Sequence, residues 1–428
     1  MASKLTSDAL LGPVSLGLTS APGRSRKSAP KPDSKPATAG PSAPGRIVPR
    51  QNSSVDPLLK VSKPKPARES FAFRLRPRDI KEHLDRFVIR QDEAKKVLSV
   101  ALCDHFQHVR LTREGDPAPH YVKQNVLLLG PTGVGKTHLI RSAAELIGVP
   151  FVKADATKFS ETGYVGGDVE ELIRDLIRRA NGDVERAGQG IVYLDEIDKI
   201  AGREAGTRDV SGRGVQTNLL KLMEDADVPV MSPNEAPPPG MPRPREHSIN
   251  TRHILFIVSG AFAGLETVVR RRRGAAVEGL PASQLIADAT TQDFIEFGFE
   301  PEFIGRLPVR VACQGLTADD LFHVMRDSES SLLRQYERAF RAYGIKVRFK
   351  TDGLRRIAAQ AAAENTGARG LMTVCERALR EFKFELPSTR IRELTVDAAL
   401  VDAPGEVLSR LLRRRRPRKG GAPGSAKD

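Results

Sequence analysis

Only three cysteines, Cys103, Cys313 and Cys375, occur in 428 residues, far apart and without a CxxC pair. That spacing argues against a disulfide framework and a cysteine zinc site, and it fits a reducing compartment. Apolar runs are short as well: none approaches the ~20 residues needed to cross a bilayer, so no membrane span is expected. Residues 10–18 are mildly apolar but contain Gly and Pro, and have little of the charge-then-apolar layout of a secretory signal. A cytoplasmic location is the expectation, with an organellar transit peptide in the basic, Ser/Pro-rich residues 24–35 as the alternative.

Aromatic residues are missing altogether from residues 1–70, which hold 11 of the 30 prolines. Such a segment cannot bury enough apolar surface to offset its ordering entropy, so disorder is expected there. Acidic residues are also scarce at both ends. The net charge of +15 resolves into +8 over residues 1–70, +6 over residues 413–428 and about +1 for everything between. A near-neutral body with two cationic tails is poor evidence for a folded nucleic-acid surface; contact with nucleic acid is expected only through the tails, without sequence preference.

What is present begins at residue 71. Apolar positions at helical spacing (Ile80, Leu84, Phe87, Val88, then Ala94, Val97, Leu98, Ala101) predict amphipathic helices over residues 79–107, broken near residues 89–91. Strand-like runs at 125–129, 151–153, 190–194 and 253–259 alternate with helical patterns, which predicts an α/β fold with a parallel sheet covered on both faces. Residues 229–250 and 270–281 read as surface loops. After Pro308 the pattern is mainly helical to about residue 412. The expected organisation is therefore a basic disordered segment (1–70), a large α/β domain (71–308), a smaller helical domain (309–412) and a basic tail (413–428).

Two motifs carry chemistry. Gly130-Pro131-Thr132-Gly133-Val134-Gly135-Lys136-Thr137 matches GxxxxGK followed by Ser or Thr, between an apolar strand and a helix. Its glycines let backbone N–H groups turn inward around a phosphate, the helix start adds a positive end, Lys136 reaches the terminal phosphates and the Thr137 hydroxyl ligates Mg²⁺. Fifty-nine residues beyond the lysine, Ile191-Val192-Tyr193-Leu194 ends in Asp195-Glu196. An aspartate at a strand tip beside the phosphate loop can hold Mg²⁺ through water, and the glutamate can polarise an attacking water. The second carboxylate points to ATP hydrolysis rather than transfer to an acceptor. Arg306 and Arg369 are the candidates for stabilising charge on the phosphoryl oxygens, though sequence physics alone does not select them among the many arginines.

These motifs do not stand alone. Ala154-Asp155-Ala156-Thr157, Gly163-Tyr164-Val165-Gly166, Leu194-Asp195-Glu196-Ile197-Asp198-Lys199, Thr207-Arg208-Asp209-Val210-Ser211-Gly212, Ser259-Gly260-Ala261-Phe262, the Arg306 segment and Gly367-Ala368-Arg369-Gly370 follow in order. In that order and spacing residues 76–412 resemble the ClpX family of AAA+ protein unfoldases. The resemblance implies an ATP-dependent unfoldase assembled as a homohexameric ring, with ATP and Mg²⁺ as cofactors and proteins as substrates. It implies an adenine contact at Val88 and Ile89, with His138 beside the phosphate loop. Arg306 would enter the neighbouring subunit's nucleotide site, Arg369 would sense the γ-phosphate, and Ser259 sits where a first sensor is found. Tyr164 and Val165 would grip substrate; an aromatic and a branched residue between two glycines can press on any side chain. Thr207 to Gly214 would supply a second pore loop.

The chain departs from that family in four places. Residues 1–70 hold no cysteine where the family has a four-cysteine zinc domain. Residues 266–298 contain Arg270-Arg271-Arg272-Arg273 and Ala/Gly-rich sequence, without the Ile-Gly-Phe tripeptide that docks the peptidase ClpP, so no ClpP docking by that route is expected. Arg90 stands where glycine usually follows the adenine segment, and a basic tripeptide at the pore entrance reads Arg245-Glu246-His247. No hydrolytic residue is lost. The expectation is a working unfoldase without the protease link; the alternative is an ATP-binding regulatory or scaffold paralogue that does not translocate.

Overall fold

The structure is a computed structural model, and it describes residues 73–116, 121–159, 168–202, 210–230, 248–329 and 332–413. The expected disordered segment and nearly all of the basic tail lie outside these residues, as do Tyr164, Val165 and the tripeptide at 245–247. Five short strands form one parallel sheet: β1 (Val126–Leu129), β2 (Phe151–Asp155), β3 (Ile191–Asp195), β6 (Leu255–Gly260) and β7 (Val309–Ala312). Their order is β2-β3-β6-β1-β7, with every pairing parallel. The small strands β4 (Asp227–Pro229) and β5 (Ser248–Asn250) pair antiparallel at the base of the expected Pro-rich loop.

Burial explains why these runs are continuously apolar. Leu127, Leu129, Val192, Leu194, Phe256 and Val258 face one hydrophobic cluster. Their alternate neighbours Val126, Leu128, Ile191, Tyr193, Leu255 and Ile257 face a second cluster with the helices Pro77–Phe87, Asp92–Arg113 and Lys136–Ile147. A strand covered on both sides has no solvent face to mark with polar residues. The helix break expected near residues 89–91 is real: Arg90 and Gln91 both take left-handed backbone, with φ of 62° and 65°.

A separate core holds the smaller, mostly helical part. The helices Ala318–Arg326, Leu332–Arg341, Thr351–Ala363 and Ala368–Glu385 pack through Leu321, Phe322, Tyr336, Phe340, Ile357, Val374 and Phe382, with the parallel pair β8 (Lys346–Phe349) and β9 (Glu393–Val396) on their flank. The boundary expected after residue 308 falls one strand short, because β7 is the edge of the large sheet through its register with β1. Four residues without a clear alternation carry too little pattern to be told from a linker.

Two expected loops are also corrected. Residues 270–277 are not irregular: the helix Leu265–Arg273 continues into a short 3₁₀ turn, Gly274–Val277, around a small core of Val269, Val277 and Leu285, and only residues 278–281 are turn and loop. Ion pairs Arg271–Glu296, Arg272–Asp293 and Arg273–Asp288 hold its arginines. Likewise residues 210–214 of the expected second pore loop lie within the helix Val210–Met223.

Beneath the N-terminal ends of β1 and β6 sits a buried cluster of imidazoles. His105 is fully enclosed, with Nε2 3.0 Å from the His253 carbonyl and Nδ1 3.3 Å from the Tyr121 hydroxyl, and His108 stacks on Tyr121. Burial pushes His105 down to about 3 and His253 down to about 4. Because these folded values lie below the ordinary 6.5, the unfolded chain takes up protons first, and stability falls as pH drops from about 6.5 toward 4. Each group contributes a slope of about 1.4 kcal/mol per pH unit within its window. Thermal unfolding followed from pH 7 to pH 5 should show a falling midpoint, and His105→Gln should flatten that fall; identical pH dependence in the two proteins would contradict the assignment.

Candidate active site

The phosphate loop joins the C-terminal end of β1 to the helix Lys136–Ile147, and its shape depends on its glycines. Gly130 has φ of 133° and a Cβ there would lie 2.4 Å from the Cys313 carbonyl; Gly133 has φ of 76° and a Cβ would lie 2.1 Å from the Thr366 carbonyl. Neither position admits a side chain. The Lys136 ammonium, 9% exposed as a residue, folds back onto the loop and donates to the Gly130 carbonyl at 2.5 Å and the Pro131 carbonyl at 3.0 Å. Burial lowers its pKa, and the nearby Arg369 charge adds to the effect.

Sheet order decides where the acidic strand lies. Since β6 separates β1 from β3, the strand that leads into the phosphate loop and the strand that ends in Asp195 stand two strand spacings apart, about 10 Å. Ser259 on β6 fills the interval: its hydroxyl donates to Asp195 Oδ1 at 2.7 Å and lies 2.7 Å from the Tyr193 hydroxyl. Thr137 Oγ1 donates to Asp195 Oδ2 at 3.2 Å, which brings the two expected Mg²⁺ ligands together. Desolvation opposes ionisation of Asp195, but hydrogen bonds from Ser259 and Lys153 outweigh it, and the net shift is downward. Glu196 follows in left-handed backbone, φ 57°, exposed at the strand tip with its N–H donating to Asp195 Oδ1 at 3.1 Å.

Lys153 was not anticipated. From β2 its ammonium lies 3.2 Å from Asp195 Oδ2 and 3.3 Å from Thr137 Oγ1, so a cation already occupies the corner between the carboxylate and the hydroxyl. That corner is a set of hard oxygen donors with negative charge, the chemistry Mg²⁺ requires. The only sequence signal was a lysine in the middle of a short strand, whose register opposite Tyr193 becomes visible only in the sheet.

A cleft of about 450 Å³ opens over the loop, at the carboxyl ends of the strands. It is lined by Val88, Ile89, Thr132, Gly133, Val134, Gly135, Lys136, Thr137, His138 and Asp195 on one side, and by Leu316, Val324, Arg369, Leu371 and Met372 on the other. The His138 ring meets Phe87 edge-on at 6.2 Å between centroids. Sequence reasoning missed the apolar wall of the smaller part, on which Met372 is left 54% exposed. That part touches the loop directly, since the Ala368 N–H donates to the Gly133 carbonyl at 2.8 Å. Arg306 is not in the cleft. Its exposed guanidinium pairs with Glu224 at 2.6 Å, at the end of the helix Val210–Met223.

A phosphate loop on β1, paired carboxyl groups on a strand once removed, and a helical cap carrying an arginine into the same cleft define a P-loop ATPase of the AAA+ class. A family model described as "AAA domain (Cdc48 subfamily)" matches residues 122–310. The chain is 42% identical over 329 residues to the "ATP-dependent Clp protease ATP-binding subunit ClpX" of Borrelia duttonii, covering 73% of this chain and 75% of that protein. It is 41% identical over 355 residues to "ATP-dependent Clp protease ATP-binding subunit ClpX 3" of Methylococcus capsulatus, covering 78% and 81%. For the ClpX subunit of Treponema denticola the identity is 40% over 344 residues, covering 76% and 81%. The chain belongs to the ClpX family. It is an ATP hydrolase that uses Mg²⁺ and acts on proteins as an ATP-dependent unfoldase.

Among the described residues no group of His, Cys, Asp and Glu has the geometry of a metal centre, and no helix is long and apolar enough to cross a membrane. Cys103, Cys313 and Cys375 are all buried and free. Burial pushes their thiols up, to about 11, 11 and 12.

Proposed function

We propose that this protein works in the cytoplasm as a ring of six identical copies that draws polypeptide through a central pore, cleaving ATP between neighbouring copies. The observation that carries this reading is the two-sided cleft: one wall belongs to the α/β part, the other to the helical part, so nucleotide occupancy and the angle between the two are linked. Within it Val88 and Ile89 contact the base, and the loop amides with His138 at its helix start surround the phosphates. Thr137 and Asp195 would hold Mg²⁺, which when bound neutralises phosphate charge. Glu196 polarises the attacking water, and Arg369 reads the terminal phosphate from the helical wall.

Arg306 supports the multimeric part of the proposal. An exposed arginine that does not line its own cleft, and that among the described residues makes a surface pair with Glu224, is available to serve the site of an adjacent copy. Docking to ClpP is not part of the proposal. Residues 270–281 carry four arginines at their start and no Ile-Gly-Phe, and the ion pairs at Arg271, Arg272 and Arg273 tie the end of the preceding helix to Glu296, Asp293 and Asp288.

Tyr164 and Val165 are assigned to the substrate grip, which makes a direct test available. In Tyr164→Ala, ATP turnover should stay within about twofold of wild type while unfolding of a tagged, folded test protein falls by about tenfold, the worth of one lost aromatic contact. Loss of both activities together, or of neither, would contradict the assignment. A wild-type protein that hydrolyses ATP, forms no ring and unfolds nothing would leave the scaffold reading in its place.

A further inference from the structure

The turn behind the base-facing wall contains a residue its backbone does not favour. Arg90 sits at φ 62°, in the left-handed region where an L side chain crowds the following carbonyl and glycine is preferred. Its side chain leaves the turn for the helical part: Nε donates to Gln314 Oε1 at 2.9 Å, and Nη1 donates to Asp320 Oδ2 at 2.6 Å. Asp320 lies in the first turn of the helix Ala318–Arg326, where its carboxylate also accepts from the Thr317 N–H and hydroxyl, so it is itself fixed. Neither charge is well solvated; the side chains are 35% and 18% exposed. One residue further, Gln91 exchanges two hydrogen bonds with the Gln314 backbone, so Gln314 is held to the turn, while Asp320, six residues on, is the charged group that Arg90 reaches.

Arg90 directly follows Val88 and Ile89, which line the cleft opposite Leu316 and Val324. Any rotation that parts those walls by turning about residues 314–317 must lengthen the Arg90–Asp320 contact. Resting on the nucleotide-site reading above, we infer that Arg90 is a positioning residue: it straps the helical part to the base-facing wall, so that the cleft opens more slowly and retains nucleotide longer than it would with glycine at this position.

The test is release of a fluorescent ADP analogue from the full-length protein in Mg²⁺, followed by stopped flow. Arg90→Gly should release it about fivefold faster, the worth of one half-buried ion pair. Asp320→Asn keeps an oxygen for the Thr317 cap while removing the charge, and should give a similar acceleration. The double variant should be no faster than either single one, because both break the same link. Arg90→Lys should recover part of the wild-type rate, and added salt should speed wild-type release more than that of Arg90→Gly. A destabilised fold would not produce this pattern, and glycine suits the left-handed backbone, so thermal unfolding should change little. If release from Arg90→Gly stays within twofold of wild type, or the two single effects add in the double variant, the inference is overturned while the functional reading stands. If wild type binds no nucleotide, the functional reading fails and takes this inference with it.

Discussion

Glu196→Gln is expected to abolish ATP turnover while leaving ATP bound. The carboxylate stands exposed at the tip of β3, and its contribution to the hydrogen-bond network beneath is through its backbone, whose N–H donates to Asp195. Replacing one carboxylate oxygen with an amide nitrogen removes the base proposed to polarise water and leaves Asp195, Ser259, Thr137 and Lys153 in their places. General-base catalysis supplies about 10²–10⁴-fold, so kcat should fall by at least about 100-fold, with nucleotide affinity changed by less than about threefold. Steady-state phosphate release and equilibrium binding of the fluorescent analogue measure the two separately. Because hydrolysis stops with ATP in place, the variant should also hold substrate proteins, and a pull-down in ATP would identify them. Equal turnover in wild type and variant would remove Glu196 from the mechanism.

The difference between Glu196 and its neighbours shows what a sequence reveals of such a site. The phosphate loop and Asp195-Glu196 are legible because each requirement is local: glycines where the chain must turn inward, a lysine and a hydroxyl at the helix start, carboxylates at the end of an apolar run. Lys153 is not legible. It reaches Asp195 only because β2 and β3 pair in register, a fact set by packing across the whole sheet. The same holds for Leu316, Val324 and Met372, which read as helix and linker residues until the helical part folds over the loop. Arg90 lay between these cases. It was visible as a departure, but its consequence needed both its dihedral angle and a partner 230 residues away. The segment at 270–281 failed for another reason: four arginines and several small residues hide a core of three buried apolar side chains with Leu280 and Ala289 at its edge, too few to establish a period.

Lys136→Ala should have the largest effect on binding. In the structure this ammonium is nearly buried and satisfied by the carbonyls of its own loop, Gly130 at 2.5 Å and Pro131 at 3.0 Å. Burial disfavours its charge, Arg369 disfavours it further, and Cys313, Asp195 and Asp198 do not make up the loss, so a phosphate brought into the cleft meets a cation with much to gain. Alanine removes that charge and strips two loop carbonyls of their donor. Charge-assisted hydrogen bonds of this kind support a loss of about 100-fold in Mg²⁺-ATP affinity, equivalent to about 2.7 kcal/mol. Thermal unfolding gives a check independent of hydrolysis. At a nucleotide concentration 100 times the wild-type Kd, binding should stabilise the wild type by about 2.7 kcal/mol and the variant by only about 0.4 kcal/mol. Without nucleotide the variant's own unfolding temperature is the reference for its shift, so the cost of leaving the Gly130 and Pro131 carbonyls without their donor does not enter the comparison. An ATP-induced shift as large in the variant as in the wild type would mean that the phosphates are held elsewhere, and the placement of the nucleotide in this cleft would be wrong.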